Sequence, residues 1–211
     1  MTSMYPVTLK LAGKCCTVVG GGAVAARKVK SLLEQGAEVT VISPVLDEEL
    51  FALKEQFVWR SSSYTEGMLQ GSFLVIAATD SRDVNHAVYE WCEEHQVLVN
   101  VVDSLEESSF TVNAMVKRGD LMLAVSTNGI SPAVSKKIRE ELEMQYGPEY
   151  GTMLEILKQA REEALRSVQD ASKRRRFLQS VADMNLPELL KNETKEEVQK
   201  RVKLCLSSYL D

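Results

Sequence analysis

The sequence predicts a doubly wound α/β domain built on a parallel sheet, followed by a small α+β segment and a helical C-terminal region. Three observations carry this. Short apolar or β-branched runs alternate with helix-period patterns through the first half of the chain, several of those runs are apolar at every position, and beyond about residue 130 strand patterns stop. A strand that is apolar throughout is covered on both faces, which is what a parallel sheet with helices on either side demands.

The elements follow in order. "CCTVV" (15–19) reads as the first strand and "AVAARKVKSLLEQG" as the first helix, closed by Gly36 as its C′ residue. "EVTVIS" is the second strand, with a helix around "LDEELFALKEQ", a short strand near "FVWRS" and the fully apolar "FLVIAAT" (73–79) after it. "SRDVNHAVYEWCEEH" is helical in pattern, and "VLVNVVD" (97–103) completes the sheet. Then the grammar changes: "SSFTVNAMVKRG" and "DLMLAVSTNG" read as adjacent strands joined by a hairpin turn at Lys117–Asp120. From Ser131 onward the pattern is helical. Met153, Ile156, Leu157, Ala160, Ala164 and Val168 fall on one amphipathic stripe, and Thr194 with Glu197 forms a capping box before a helix carrying Val198, Val202 and Leu206. The expected domains are residues 1–112, 113–145 and 146–211, and the C-terminal helices, too few to close a large core alone, are expected to pack against a second copy of the chain. The run "KRRRF" (173–177) reads as a solvated helix face.

Composition narrows the function. With 25 basic and 30 acidic residues, a formal charge of −5 and no long basic tract, the chain lacks the footprint of a nucleic-acid binder. No run approaches the ~18 apolar residues of a membrane span, and "MTSMYPVTLKLAGK" lacks the layout of a signal peptide, so the expected location is the cytoplasm. Cys15, Cys16, Cys92 and Cys205 have no CxxC spacing, and His86 and His95 form no metal pair with them, so free, mostly buried thiols and no metal site are expected.

"VVGGGAVAARK" (18–28) carries the most specific signal. Gly20 to Ala25 fit G-x-G-x-x-A between a strand and a helix, the context of a Rossmann-like dinucleotide site. Gly20 allows the tight turn, Gly22 clears the approach to a diphosphate, and Ala25 lets the helix lie close to the sheet, with Gly21, Ala23 and Val24 completing the cradle. The second strand ends "VISPV", placing Ser43 and Pro44 where a ribose-binding carboxylate is usual. No Lys or Arg lies near Ser43 to take a 2′-phosphate, the nearest downstream being Lys54, so NAD is expected over NADP.

Ligands of open parallel sheets lie beyond the carboxyl ends of the strands, which adds Thr79, Asn100 and Val101 to the cofactor candidates. Asp103 ends an apolar strand and is placed to take a proton beside a nicotinamide; the competing reading is an Asp bonding the backbone of the next turn. Ser126, Thr127, Asn128 and Gly129 form a loop before Ser131 and Pro132, an N-cap and N1 pair. Lys136, Lys137, Arg139, Lys117 and Arg118 are candidates to line a cleft for an acidic substrate.

"VVGGGAVAARK", "IAATD", "VNVVD", "SSF" and "LMLAVSTNGISPAVSKKIRE" together resemble the precorrin-2 dehydrogenase and sirohydrochlorin ferrochelatase family of siroheme synthesis. The resemblance runs in order from about Val7 through the helical tail. It implies NAD-dependent oxidation of precorrin-2, a tetrapyrrole rich in carboxylates, to sirohydrochlorin by a homodimer, with the tetrapyrrole in a cleft between the domains. It implicates Asp103 in the chemistry, sets Ser126–Gly129 at the border of the site and makes residues 113–145 a dimerisation segment. Relatives also chelate iron or carry a methyltransferase domain; this chain, ending at Asp211, is expected to lack the latter. Three readings stand beside it: a bifunctional enzyme that also inserts Fe(II) into sirohydrochlorin, a non-catalytic NAD-sensing module, and a chelatase using the fold without redox.

Overall fold

The structure, a computed structural model, describes residues 4–210; the first three residues of the N-terminal stretch and Asp211 lie outside the described residues. It divides into two compact units, one up to Val112 and one from Asn113 onward.

The first unit is a five-stranded parallel sheet in the order β3-β2-β1-β4-β5. Its strands are β1 (Cys15–Val19), β2 (Glu38–Ile42), β3 (Val58–Arg60), β4 (Leu74–Ala77) and β5 (Leu98–Val101), with α1 (Ala23–Glu34), α2 (Glu48–Ala52) and α3 (Arg82–Glu94) between them. β1 pairs with β2 from Cys15↔Glu38 to Val19↔Ile42 and with β4 from Cys16↔Leu74 to Val19↔Ala77. The chain therefore grows outward from β1 in both directions, and the crevice beyond β1 and β4 is the topological switch point.

Period-two side-chain alternation sends the apolar strands into two cores. Cys16, Val18, Val39, Val41, Leu74 and Ile76 pack under Ala25, Ala26, Val29 and Leu32 of α1. Val19, Ile42, Val75, Ala77, Val99 and Val101 pack under Val88, Trp91 and Cys92 of α3. α1 ends as expected: Gly36 is left-handed (φ 73°), its N–H bonds Leu33 O, and Ala37 N–H bonds Leu32 O. Two strands are shorter than their apolar runs. β4 stops at Ala77, and β5 stops at Val101 because Asp103 turns the chain in the left-handed region (φ 64°). The helix expected around Leu46–Gln56 is one turn of α2 and a 3₁₀ turn (Lys54–Gln56).

The second unit opens with the antiparallel hairpin β6 (Ala114–Arg118) and β7 (Leu121–Val125), turning at Gly119-Asp120, and α4 (Pro132–Gln145) packs on both strands. The single helical tract of the sequence is broken into α5 (Glu149–Ser167), α6 (Ala171–Ala182), α7 (Leu186–Asn192) and α8 (Lys195–Ser207). Their apolar stripes meet as read from the sequence. Ile156, Ala160, Ala164, Val168, Val198, Val202 and Leu206 are buried around Phe177, which is fully enclosed. The capping box at Thr194 is formed in both directions with Glu197. Ser131 caps α4 with Pro132 in its first turn.

The four cysteines are free. Cys16 and Cys92 are buried, and burial pushes their thiols up to about 11 and about 12 respectively. Cys15 departs from the expectation of mostly buried thiols: it starts β1 with its side chain outward and is exposed.

Because Phe177 is the largest fully buried side chain of the helical core, Phe177→Ala should cost about 3–5 kcal/mol, read as a loss of helical stability in denaturant titrations followed by circular dichroism.

Candidate nucleotide site

Three stretches of backbone converge on the turn after β1. Gly20 N–H donates to Ile42 O (2.9 Å), Ala78 N–H to Val19 O (2.7 Å) and Asp47 N–H to Gly21 O (2.8 Å), so the ends of β1, β2 and β4 and the start of α2 are tied at one point. Gly20 has φ 126°, and a Cβ there would collide with the carbonyl of Ala78. A Cβ on Gly21 would collide with the carbonyl of Val45 and the hydroxyl of Ser43. A Cβ on Gly22 would meet nothing within 4 Å, because that position faces open space. The glycines thus do different work: the first two let protein backbone close on itself, and the third keeps the mouth of the turn clear.

That mouth opens into a cleft of about 590 Å³, within the range of small-molecule sites. Its base is Gly20–Gly22 with Ala23 and Val24 of α1. Ser43 to Asp47 form one wall, and Ala78, Thr79, Asp80 and Val84 the other, with Ser63 and Tyr64 at the side. α2 and α3 are capped by the side chains of Asp47 and Ser81, whereas Gly22 at the start of α1 offers no side chain. The first N–H groups of α1 therefore meet the cleft with the positive end of the helix dipole behind them and no acidic residue in the first turn.

Most of the sequence-derived cofactor residues come together here: Gly20, Gly21, Gly22, Ala23, Val24, Ser43, Pro44 and Thr79 line the cleft. Three do not. Ala25 is fully buried against the sheet, Val101 is buried with its N–H bonded by Ser108 Oγ (2.9 Å), and the Asn100 amide donates to Phe110 O (3.1 Å). Ser43 is buried and its hydroxyl donates to Val45 O (2.7 Å), which leaves only acceptor capacity for a ribose.

Sequence reasoning missed two contributors. Asp47 supplies a carboxylate to the wall four residues beyond the usual position, while one of its oxygens caps α2 through Leu50 N–H (2.8 Å). The signal was an Asp before "EEL", which reads as an N-cap. Asn85 is buried, donates to Thr79 O (3.0 Å), and accepts from Thr79 Oγ1 (2.7 Å) and Thr79 N–H (3.2 Å), fixing the loop after β4. Its signal was a polar residue on the buried stripe of α3.

Asp103 is exposed, and among the described residues its carboxylate accepts no hydrogen bond. The loop is instead held by serines. Ser108 Oγ donates to Ser104 O (2.6 Å), and Val99 N–H donates to Ser109 Oγ (2.8 Å). Glu107 then anchors the loop to α3, receiving His86 Nδ1 (3.1 Å) and Arg82 Nη2 (3.5 Å).

In the second unit, Thr127 Oγ1 accepts from Ser131 N–H (3.2 Å) and bonds Ser135 Oγ (3.0 Å), and Ser126 Oγ accepts from Asn128 N–H (3.1 Å). Asn128 and Gly129 are left-handed (φ 51° and 77°), and Lys136 is exposed beside Glu140 at 3.9 Å.

Switch-point cleft, uncapped helix start and bare Gly22 define a dinucleotide-binding α/β protein. Residues 7–114 match the family described as putative NAD(P)-binding, residues 118–145 the sirohaem biosynthesis protein central family, and residues 149–205 the sirohaem synthase dimerisation region. The chain belongs to the siroheme-synthesis family of NAD(P)-binding proteins. It is 35% identical over 205 residues to the siroheme synthase of Mannheimia succiniciproducens, covering 96% of this chain and 43% of that protein. It is 38% identical over 187 residues to the siroheme synthase of Photobacterium profundum, covering 88% and 40%. The chain thus spans less than half the length of these relatives. The solved structure of SirC, a precorrin-2 dehydrogenase, matches with a TM-score of 0.79 at 29% identity, covering 95% of this chain and 99% of SirC.

NAD fits the residues present. A diphosphate would meet the open Gly22 and the uncapped N–H groups of Ala23 and Val24, and the described lining carries Asp47 and Asp80 but no Lys or Arg to balance a further phosphate. Gly22→Ala should leave the melting temperature unchanged and weaken NAD at least tenfold, whereas Gly21→Ala should lower both stability and binding; thermal melts and NAD titration calorimetry separate the two. Asp47→Asn keeps a capping side chain and removes the charge. It should shift the NAD-to-NADP affinity ratio toward NADP by about fivefold, the worth of roughly 1 kcal/mol for one partly screened repulsion.

Proposed function

We propose that this chain is an NAD-dependent precorrin-2 dehydrogenase, converting precorrin-2 to sirohydrochlorin as a cytoplasmic homodimer. The observation that carries the reading is the likeness to SirC along 99% of that chain. In this reading residues 1–112 bind the nucleotide, 113–145 form a dimerisation segment and 146–211 a helical domain. The family described for residues 149–205 is itself a dimerisation region, which supports self-association. Met115, Met122, Val134 and Ile138 are exposed apolar side chains of the hairpin and α4, which supports a role for 113–145 in it.

NAD, when bound, supplies the two-electron acceptor for the reduced macrocycle. The chain's own part is to orient and to take a proton. The N–H groups at the start of α1 and the bare Gly22 would hold the diphosphate, Asn85 fixes the Thr79–Asp80 wall, and the Asp47 carboxylate would repel a 2′-phosphate. In this reading Asp103 takes the proton: among the described residues its carboxylate accepts no hydrogen bond, and its loop is braced by Ser108, Ser109 and Glu107. Ser126 to Gly129 and Lys136 contact the acidic substrate.

Purified protein given precorrin-2 and NAD should generate NADH absorbance together with the sirohydrochlorin spectrum. Asp103→Asn should bind NAD as the parent does and turn over about 10²–10⁴ times more slowly. Turnover of this variant at the parental rate would return Asp103 to a purely structural role in its loop.

A further inference from the structure

Two neighbouring residues at the start of α3 hold the two loops that the proposed reaction uses. Asn85 fixes the loop after β4 through Thr79, and so one wall of the nucleotide cleft. His86, the next residue, faces the loop after β5 instead, with Nδ1 3.1 Å from Glu107 Oε1. One turn of helix thus ties both post-strand loops of the first unit.

The burial of Glu107 gives this contact its weight. The Glu107 side chain is only 14% exposed, and its Oε2 is buried with no hydrogen-bond partner among the described residues. Both donors meet the other oxygen: the His86 imidazole at 3.1 Å and, at 3.5 Å, the guanidinium of Arg82, a side chain that is 78% exposed. An enclosed carboxylate stays enclosed only while it keeps its donors, because a buried charge left unpaired costs more than the contact returns. His86 Nε2 also stands 3.5 Å from Glu90 Oε1, but that carboxylate is exposed and has water in reach. A carboxylate only accepts, so the Nδ1 proton belongs to Glu107.

Glu107 is joined directly to Ser108. The Ser108 hydroxyl donates to Ser104 O (2.6 Å) and accepts from Val101 N–H (2.9 Å), so the residues on either side of Val102 and Asp103 are both held by the neighbour of Glu107. Asp103 itself is left-handed (φ 64°), a conformation that a non-glycine residue keeps where its surroundings impose it.

We propose that His86 is a positioning residue: through Glu107 and Ser108 it keeps the Asp103 loop in the conformation that presents the carboxylate, in register with the nucleotide wall held by Asn85. Without the His86 donor, Glu107 regains water by leaving α3, and the loop leaves with it. The catalytic part of this proposal rests on Asp103 taking the proton in the dehydrogenation; the hold on the loop does not.

Hydrogen exchange followed by mass spectrometry, and turnover of precorrin-2 with NAD, test the two parts separately on the full chain. His86→Leu keeps a side chain of similar size without a donor. It should speed exchange about tenfold in peptides covering residues 102–110, where the amides of Ser104 and Ser109 bond Val101 O and Val99 O. It should also lower kcat about tenfold while NAD affinity and the KM for NAD stay parental, which confirms that the protein is folded. His86→Asn, whose amide nitrogen stands near the place of Nδ1, should restore most of both. Parental exchange in His86→Leu overturns the hold on the loop. Faster exchange with parental kcat, while Asp103→Asn is slow, overturns the positioning role, as does failure of His86→Asn to recover what His86→Leu loses. Parental turnover by Asp103→Asn sinks the assignment of the proton to Asp103 and the positioning role with it, while exchange alone still decides whether His86 holds the loop.

Discussion

The first unit depends on how closely its backbone can approach itself at Gly20 and Gly21. Carbonyls of Ala78 and Val45 and the hydroxyl of Ser43 occupy the places where side chains at these two positions would stand. Any larger residue would push β4 away from β1 or the start of α2 away from the turn. The cleft exists because those segments are pinned there while Gly22, one residue on, faces no protein atom. A single tripeptide thus serves both packing and access, and the two roles separate cleanly by position.

The rest of the cleft is arranged so that polar groups are either satisfied by the protein or left for a ligand. Ser43, Thr79 and Asn85 spend their hydrogen bonds on backbone and on each other, which makes the walls rigid. The N–H groups that open α1 have no capping side chain. Asp103 follows the same division: the loop carrying this left-handed residue is held by Ser108 and Ser109, and by Glu107, which binds His86 and Arg82 of α3, and among the described residues the carboxylate itself stays uncommitted.

The helical unit shows a corresponding economy of charge. Arg118, Lys136, Arg139, Lys191, Lys195 and Arg201 pair with nearby glutamates, contacts worth little individually at a surface. Between α5 and α6, burial of Phe177 turns Arg174 and Arg175 toward a hollow that Arg161 also lines.

The sequence by itself determined the sheet, the order of its elements and the glycine turn, because apolar periodicity and the φ requirements of glycine are local properties. It also determined the caps at Ser131 and Thr194 and the buried stripe of α5. What it left undecided was long-range. Nothing in the local pattern says that Val45 O stands over Gly21, that Asp47 reaches the cleft from beyond the strand end, or that Asn100 and Val101 turn their polar groups to the following loop. The run at Lys173–Phe177 read as a solvated face, since charge alone carries no direction. Only tertiary packing decided these, because a hydrogen bond or an enclosed ring forms between segments whose separation along the chain bears no relation to their distance in space.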